Sequence, residues 1–196
     1  MLNIGEMTNS KSNYLQRGVI PLVVLALLAV VGAGGAATVV SRGSIPGDIL
    51  YPVKETTENV RVATAFSDES KAKVHLAIAD EKLNEIEKLE ARGKSADKII
   101  AATERLEKNQ GKAIEKLEKA QSEGKDVSAI VARLQSNLER QQSVLARVLE
   151  KVPEQAKAAI QRAMENSQRG LIKAQEMQTE EKGKPDDVGK PEEVGK

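Results

Sequence analysis

The chain has 196 residues, and its 30 Lys and Arg against 29 Asp and Glu leave a formal charge of +1. That balance argues against a nucleic-acid partner, which would call for a basic stripe. Only Tyr14, Tyr51 and Phe66 are aromatic and no cysteine is present. The core must therefore be built from Ala, Leu, Ile and Val, which suits close-packed helices and not a β-sandwich, while disulfides, thiolate zinc sites and cysteine nucleophiles are excluded together.

The first element is an apolar run, Gly18 to Val40, 23 residues without a charge. As a helix at about 1.5 Å per residue it would reach ~34 Å, enough for a hydrocarbon core about 30 Å thick. The expectation is a transmembrane helix over 18–40, or an uncleaved signal anchor. Gly35-Ala36-Ala37 and Val31-Gly32-Ala33 would also suit a signal peptidase, so cleavage stays open. Lys11 and Arg17 precede the run and Arg42 follows it, a slight charge bias. Anchor and signal peptide alike put residues 1–17 in the cytoplasm and the bulk of the chain outside, so the expected location is the cell membrane, single-pass.

Residues 41–51 read as a joint. The stretch I-P-G-D-I-L-Y-P-V-K-E, Ile45 to Glu55, holds two of the six prolines and one of the two tyrosines. Asp48 has no base or nucleophile beside it in the sequence, so an active-site loop is disfavoured. The structural-joint residues are Pro46, Gly47, Asp48, Leu50, Tyr51 and Pro52. Pro46-Gly47 turns the chain and Asp48 bonds backbone N–H groups. Ile49, Leu50 and Tyr51 are expected to pack onto the domain, and Pro52 to open a helix at its first position, where a missing N–H costs nothing.

Five helices follow over 52–178. The first, about Pro52 to Phe66, puts Val53, Val60 and Ala63 roughly on one face. The second, about Asp68 to Arg92, is capped by Ser67 or Asp68, ended by Gly93 and striped by Ala72, Leu76, Ala79, Leu83, Ile86 and Glu90. The third, Ser95 to Glu123, carries Ile99, Thr103, Leu106, Gln110, Ala113, Leu117 and Ala120, with Thr103 and Gln110 as weak links. The fourth opens on Asp126 with the cleanest seam: Val127, Val131, Leu134, Leu138, Gln141, Leu145, Val148 and Val152, spaced alternately four and three. Pro153 stops or kinks it, and a fifth helix runs to Met177 with Ala156, Ile160, Ala163, Ser167, Leu171 and Ala174. Connections of two or three residues between the second, third and fourth helices predict antiparallel neighbours. The expected fold is all-α: an antiparallel helical bundle or long coiled-coil hairpin behind one membrane helix. Whether the fifth helix folds back or continues the fourth is open. Residues 179–196 repeat a Gly-Lys-Pro-acid-acid-Val unit and read as a disordered tail.

Catalytic chemistry has no signature. The single histidine, His75, has Ile78 and Ala79 where a metal site would want partners, so it reads as an ordinary surface or boundary residue. The many carboxylates, Glu81, Glu85, Glu104 and Glu115 among them, have basic residues three or four positions away and read as solvated helix surface. No nucleophile elbow, zinc helix, phosphate loop or calcium loop occurs. The expectation is no enzyme, no cofactor, no metal and no small-molecule substrate.

The stretch Pro46-Gly47-Asp48-Ile49-Leu50-Tyr51-Pro52-Val53-Lys54, followed by Glu58, resembles the opening of a bacterial extracytoplasmic family of unknown function, whose P-G-D-x-L-Y-P-V-K start follows a membrane or signal segment. Lys71-Ala72-Lys73-Val74-His75-Leu76-Ala77, Ala79-Asp80-Glu81-Lys82-Leu83, Val152-Pro153-Glu154-Gln155-Ala156-Lys157 and Ser167-Gln168-Arg169-Gly170-Leu171 are similar to later parts of it. The resemblance covers about 45–177 and implies location and helical build, not an activity. The functional expectation is a membrane-anchored extracytoplasmic helical module acting by protein–protein contact or envelope structure. Its membrane contact would be residues 18–40, with a homo-oligomer or a partner helix on the seam. The alternative is a periplasmic stress- or metal-responsive helical hairpin with chaperone-like client binding.

Overall fold

The structure, a computed structural model, describes residues 43–182. The 1–17 segment, the 18–40 run and the tail beyond 182 lie outside the described residues. Five helices follow one another: α1 Tyr51–Ala63, α2 Asp68–Ala91, α3 Ala96–Ser122, α4 Ser128–Leu149 and α5 Glu154–Lys182. Among the described residues there is no strand, and no helix is long and apolar enough to cross a membrane. The all-α bundle is as the seam spacing predicts. The fifth helix extends through Lys182, past the point where its apolar pattern fades near Thr179.

Side-chain pairs fix how the four long helices run. His75 reaches Asn109, and Asp68 reaches Lys119, so α2 and α3 are antiparallel. Gln178 donates to Gln135 while Ser167 donates to the Leu138 carbonyl, so α5 folds back antiparallel on α4. Arg140 bonds Asp80 and Asn84 and Arg147 bonds Glu87, which makes α2 and α4 parallel. Arg162 on Glu107 and Lys173 on Glu118 do the same for α3 and α5. Two antiparallel hairpins are thus stacked side by side, in the order α2, α3, α5, α4 around the bundle. Consecutive helices α3 and α4 stand across its diagonal. Helices packed 8–10 Å apart put that diagonal near ~13 Å. Residues 123–127, at up to about 3.5 Å each, span it without strain.

The seam residues fill the interior. All eight positions read from Val127 to Val152 are buried, as are all seven from Ile99 to Ala120. They form two apolar clusters. Leu83, Ile86, Leu106, Leu145 and Ile160 belong to one, beneath Ile45. Leu76, Leu117, Leu134, Leu138 and Ala174 belong to the other. Between them lies a polar layer in which Gln141 Nε2 donates to Gln110 Oε1 at 2.9 Å and Gln110 Nε2 donates to the Asn166 carbonyl at 3.1 Å. Gln110 is therefore no weak link: its amide is satisfied, and it joins three helices across the bundle axis. Thr103 likewise bonds the Ile99 carbonyl at 2.8 Å. Gly170 lets α5 come close here, since a Cβ would lie 3.0 Å from Gln110 Nε2 and 3.1 Å from Leu138.

Two of the expected helix faces differ. On α1 the buried face is Tyr51, Lys54 and Glu58, while Val60 and Ala63 are exposed and Val53 is half-buried. Leu171, expected in the core of α5, is half-buried, and Gly170 beside it is buried instead.

Candidate functional site

The joint is a pair of successive turns. The Asp48 amide donates to the Ile45 carbonyl at 2.9 Å, and the Tyr51 amide to the Asp48 carbonyl at 3.1 Å. Asp48 Oδ2 accepts from the Ile45 amide at 3.0 Å, the backbone bond expected of it. Gly47 sits at φ 101°, where a side chain would be strained. The Asp48 carboxylate also lies 3.6 Å from Arg92. Pro52 takes the second position of α1, just after Tyr51. The expected packing of Ile49 and Leu50 is not found: Ile49 is 95% exposed and Leu50 is 40% exposed. A turn at 48–51 points them outward, and Ile45 and Tyr51 enter the core instead.

Tyr51 leads into a buried ionic cluster. Lys54 Nζ lies 2.6 Å from Glu85 Oε1, Lys82 Nζ 2.9 Å from the same oxygen, and Lys82 Nζ 2.8 Å from Glu58 Oε1. The Tyr51 hydroxyl donates to Glu85 Oε2 at 3.1 Å and accepts from Arg105, which also pairs with Glu55. Lys82 and Glu85 are each 1% exposed, which corrects the reading of Glu85 as solvated surface. Two ammonium groups against two carboxylates leave the cluster neutral, the condition under which charges tolerate burial. Burial pushes the Tyr51 hydroxyl up to about 12, and Glu85 pushes it the same way. Glu58 is raised by burial, which outweighs its one ammonium partner. Lys82 lies between two carboxylates, and although burial opposes them, they hold it above its ordinary value.

The sequence carried a signal for this cluster. Tyr51, Lys54 and Glu58 are spaced three and four, and so are Ile78, Lys82, Glu85 and Leu89, which are all buried. The charges occupy seam positions, so the expectation of solvated surface at Glu85 misses a second interface of α2.

Beside the cluster, α1, α2 and α3 enclose a half-open cleft of about 410 Å³. Glu58 and Lys82 form part of its floor, and Arg105, Lys108 and Lys112 line the α3 side. His75 lies there at 4% exposure, more buried than the surface or boundary residue expected, with Nδ1 2.9 Å from Asn109 Oδ1. Burial lowers its pKa, the Asn109 bond opposes this, and Lys112 and Lys116 lower it further. Among the described residues no group of three or more His, Asp and Glu side chains is placed to hold a metal ion.

A family model for a domain of unknown function, DUF5667, matches residues 43–155, more than half of the chain. The chain belongs to the DUF5667 family. No curated protein and no solved structure matches it. The DUF5667 match begins at Gly43, within the joint, and takes in the ionic cluster, the cleft and α1 to α4. It ends two residues into α5. Yet α5 supplies Ala156, Ile160, Ala163 and Ala174 to the core, so the folded unit here is longer than the matched DUF5667 span.

Proposed function

We propose that this DUF5667 protein is a membrane-anchored extracytoplasmic helical module that acts by protein–protein contact or as an envelope structure, without catalysis. The observation that carries the reading is the shortness of the link between the apolar run and the folded unit. Val40 ends the uncharged stretch, and Ser44 and Ile45 are already buried, with Ile45 at 0% exposure. Lys54, ion-paired to Glu85, also bonds the Ser44 carbonyl at 3.5 Å. The folded unit therefore begins within a few residues of the uncharged run in the sequence, the order expected of a domain that follows an anchor. The family resemblance of the P-G-D-x-L-Y-P-V-K start supports the same placement. The charged outer faces of the bundle suit contact with soluble or envelope proteins.

The test is carbonate extraction of membranes from cells producing the full chain, with protease added from the outside and N-terminal sequencing of the product. Retention in the membrane pellet with the bundle digested from outside supports the proposal. A soluble mature chain beginning near Ala36 removes the anchor. Protection of the bundle from external protease reverses the topology.

A further inference from the structure

The cleft between α1, α2 and α3 contains two features that the folded chain itself leaves unused. The first is a pair of cations. Lys108 and Lys112 stand four residues apart on one face of α3, an arrangement of like charges that disfavours a helix. Nearby basic residues have carboxylates: Arg105 has Glu55, Lys82 has Glu58 and Glu85, and Lys116 has Asp68 and Glu115. Lys108 and Lys112 have no ion-pair partner among the described residues.

The second is a lone pair. Asn109 Nδ2 donates to the Arg105 carbonyl at 2.8 Å, which orients the amide so that Oδ1 is its acceptor. His75 Nδ1, 2.9 Å from that oxygen, must then carry the imidazole hydrogen. Nε2 is left as an acceptor with no donor from the chain, on a side chain 4% exposed that lines the cleft. Nε2 keeps access to the cleft and its water, so a donating ligand entering there can take that water's place.

We propose that this cleft binds a small oxyanion that still carries an acidic hydrogen, hydrogen phosphate being the simplest, with Lys108 and Lys112 meeting its charge and His75 Nε2 accepting its O–H. About 410 Å³ is ample for such a group. The hydrogen gives selectivity. Sulfate at neutral pH has only lone pairs to set against Nε2, whereas hydrogen phosphate turns its O–H towards it. The imidazole must be neutral for this to hold. The groups facing it are Arg105, Lys108, Lys112, Lys116 and Glu115 on α3, Glu55 and Glu58 on α1, and Lys82 on its own helix. Burial, with Lys112 and Lys116, keeps it below its ordinary pKa. Once it is protonated, Nε2 becomes a donor and sulfate is accepted as well. The proposal is independent of the membrane reading.

The chain has a single histidine, so nitrogen-15 labelling gives one assignable imidazole in the full-length protein in detergent micelles. Sodium phosphate and sodium sulfate are titrated at equal ionic strength, at pH 7.5 and pH 5.5. The expected result is an Nδ1–H tautomer, an Nε2 shift with phosphate, and phosphate binding about tenfold tighter than sulfate at pH 7.5, the ratio one hydrogen bond of ordinary strength supplies. That ratio falls once the imidazole takes up a second proton, which its nitrogen-15 shifts report directly. Lys108→Ala with Lys112→Ala, both exposed positions, weakens phosphate about tenfold and leaves the tautomer unchanged. Glycerol phosphate separates the sources: its second pKa near ~6 removes the O–H at pH 7.5. About half of the ester carries the O–H at pH 6, so binding within about twofold of inorganic phosphate there identifies a phosphate ester as a ligand, and weaker binding restricts the site to free phosphate. Sulfate matching phosphate at pH 7.5, an imidazole indifferent to phosphate, or unchanged binding by the double variant would each overturn the proposal.

Discussion

Leu134 in the α4 seam is 0% exposed and Lys82 beneath α1 is 1% exposed, yet the two are buried on opposite physical terms. Leu134 belongs to an apolar cluster of Ala, Leu, Ile, Val and Met side chains, where leaving water is itself favourable, by roughly 25 cal/mol for each Å². Around Lys82 two carboxylates, a second ammonium group and a phenol must recover what dehydration takes away. The bundle of α2 to α5 therefore supplies the stability, while α1 is held mainly by matched charges. An apolar surface accepts several registers, but an arrangement with each charge opposite its partner accepts one. We hypothesise that the cluster sets where α1 lies on α2, and through the joint, where the chain enters the domain.

The largest effect should come from unbalancing the charges. Glu85→Ala removes a carboxylate shared by Lys54 and Lys82, and a buried pair broken in this way costs about 3–5 kcal/mol. The loss should be local: hydrogen exchange should rise over residues 51–63, with α4 and α5 protected as before. Equal loss of protection in α4 would show that α1 and the bundle unfold as one unit and erase the distinction. Replacing the whole set, Lys54→Met, Glu58→Leu, Lys82→Met and Glu85→Leu, should leave urea stability equal or raise it by about 1–4 kcal/mol, since no charge remains to be dehydrated. A fall in stability would mean that the ions attract more strongly than their dehydration costs.

Leu134→Ala should cost about 2–5 kcal/mol, according to how far the cavity collapses. Here the loss should appear as a lower midpoint for the entire far-ultraviolet transition, since Leu134 lies among α4, α3 and α5 side chains. A change confined to one helix would argue against a shared core.

The seam was legible because a helix buried along one stripe repeats its apolar residues at spacings of three and four, and α3 and α4 obey this throughout. Where the same spacing carried charge, at Lys54, Glu58, Lys82 and Glu85, the pattern was present but its chemistry pointed to solvent. Only partners distant in sequence, 24 residues apart for Glu58 and Lys82, make those charges buriable. The cleft is subject to the same limit: His75 and Asn109 are 34 residues apart, and neither is notable alone. The diagonal placement of α3 and α4 was likewise beyond reach, because a short link fixes direction but not which neighbour a helix takes.

Acid should separate the two regions less strongly. His75 has its folded pKa below the unfolded value, so it contributes stability that is present above about pH 6.5 and lost as pH falls below it. Glu58 has the opposite sign: its raised pKa means that ionisation costs stability as pH rises from the carboxylate range. Between pH 7.5 and pH 5.5 the urea midpoint should therefore fall, and His75→Gln should flatten that slope. An unchanged slope in the variant would assign it to other groups.

The smallest effects compare two helix-interior glycines. Gly111 on α3 is exposed, and a Cβ there would meet nothing within 4 Å. Alanine restricts the unfolded chain and suits the helix, so Gly111→Ala should add up to about 1 kcal/mol. Gly170 on α5 would gain the same propensity, but its Cβ would press on Gln110 Nε2 at 3.0 Å and on both Leu138 methyls at 3.1 and 3.2 Å. Gln110 is held by Gln141 and by the Asn166 carbonyl, so it has little freedom to yield. Gly170→Ala should therefore fall below Gly111→Ala in urea midpoint, and below the parent chain if the polar layer is rigid. Equal gains at both sites would show that the glutamine layer moves aside, and that the bundle's register rests on its apolar seam alone.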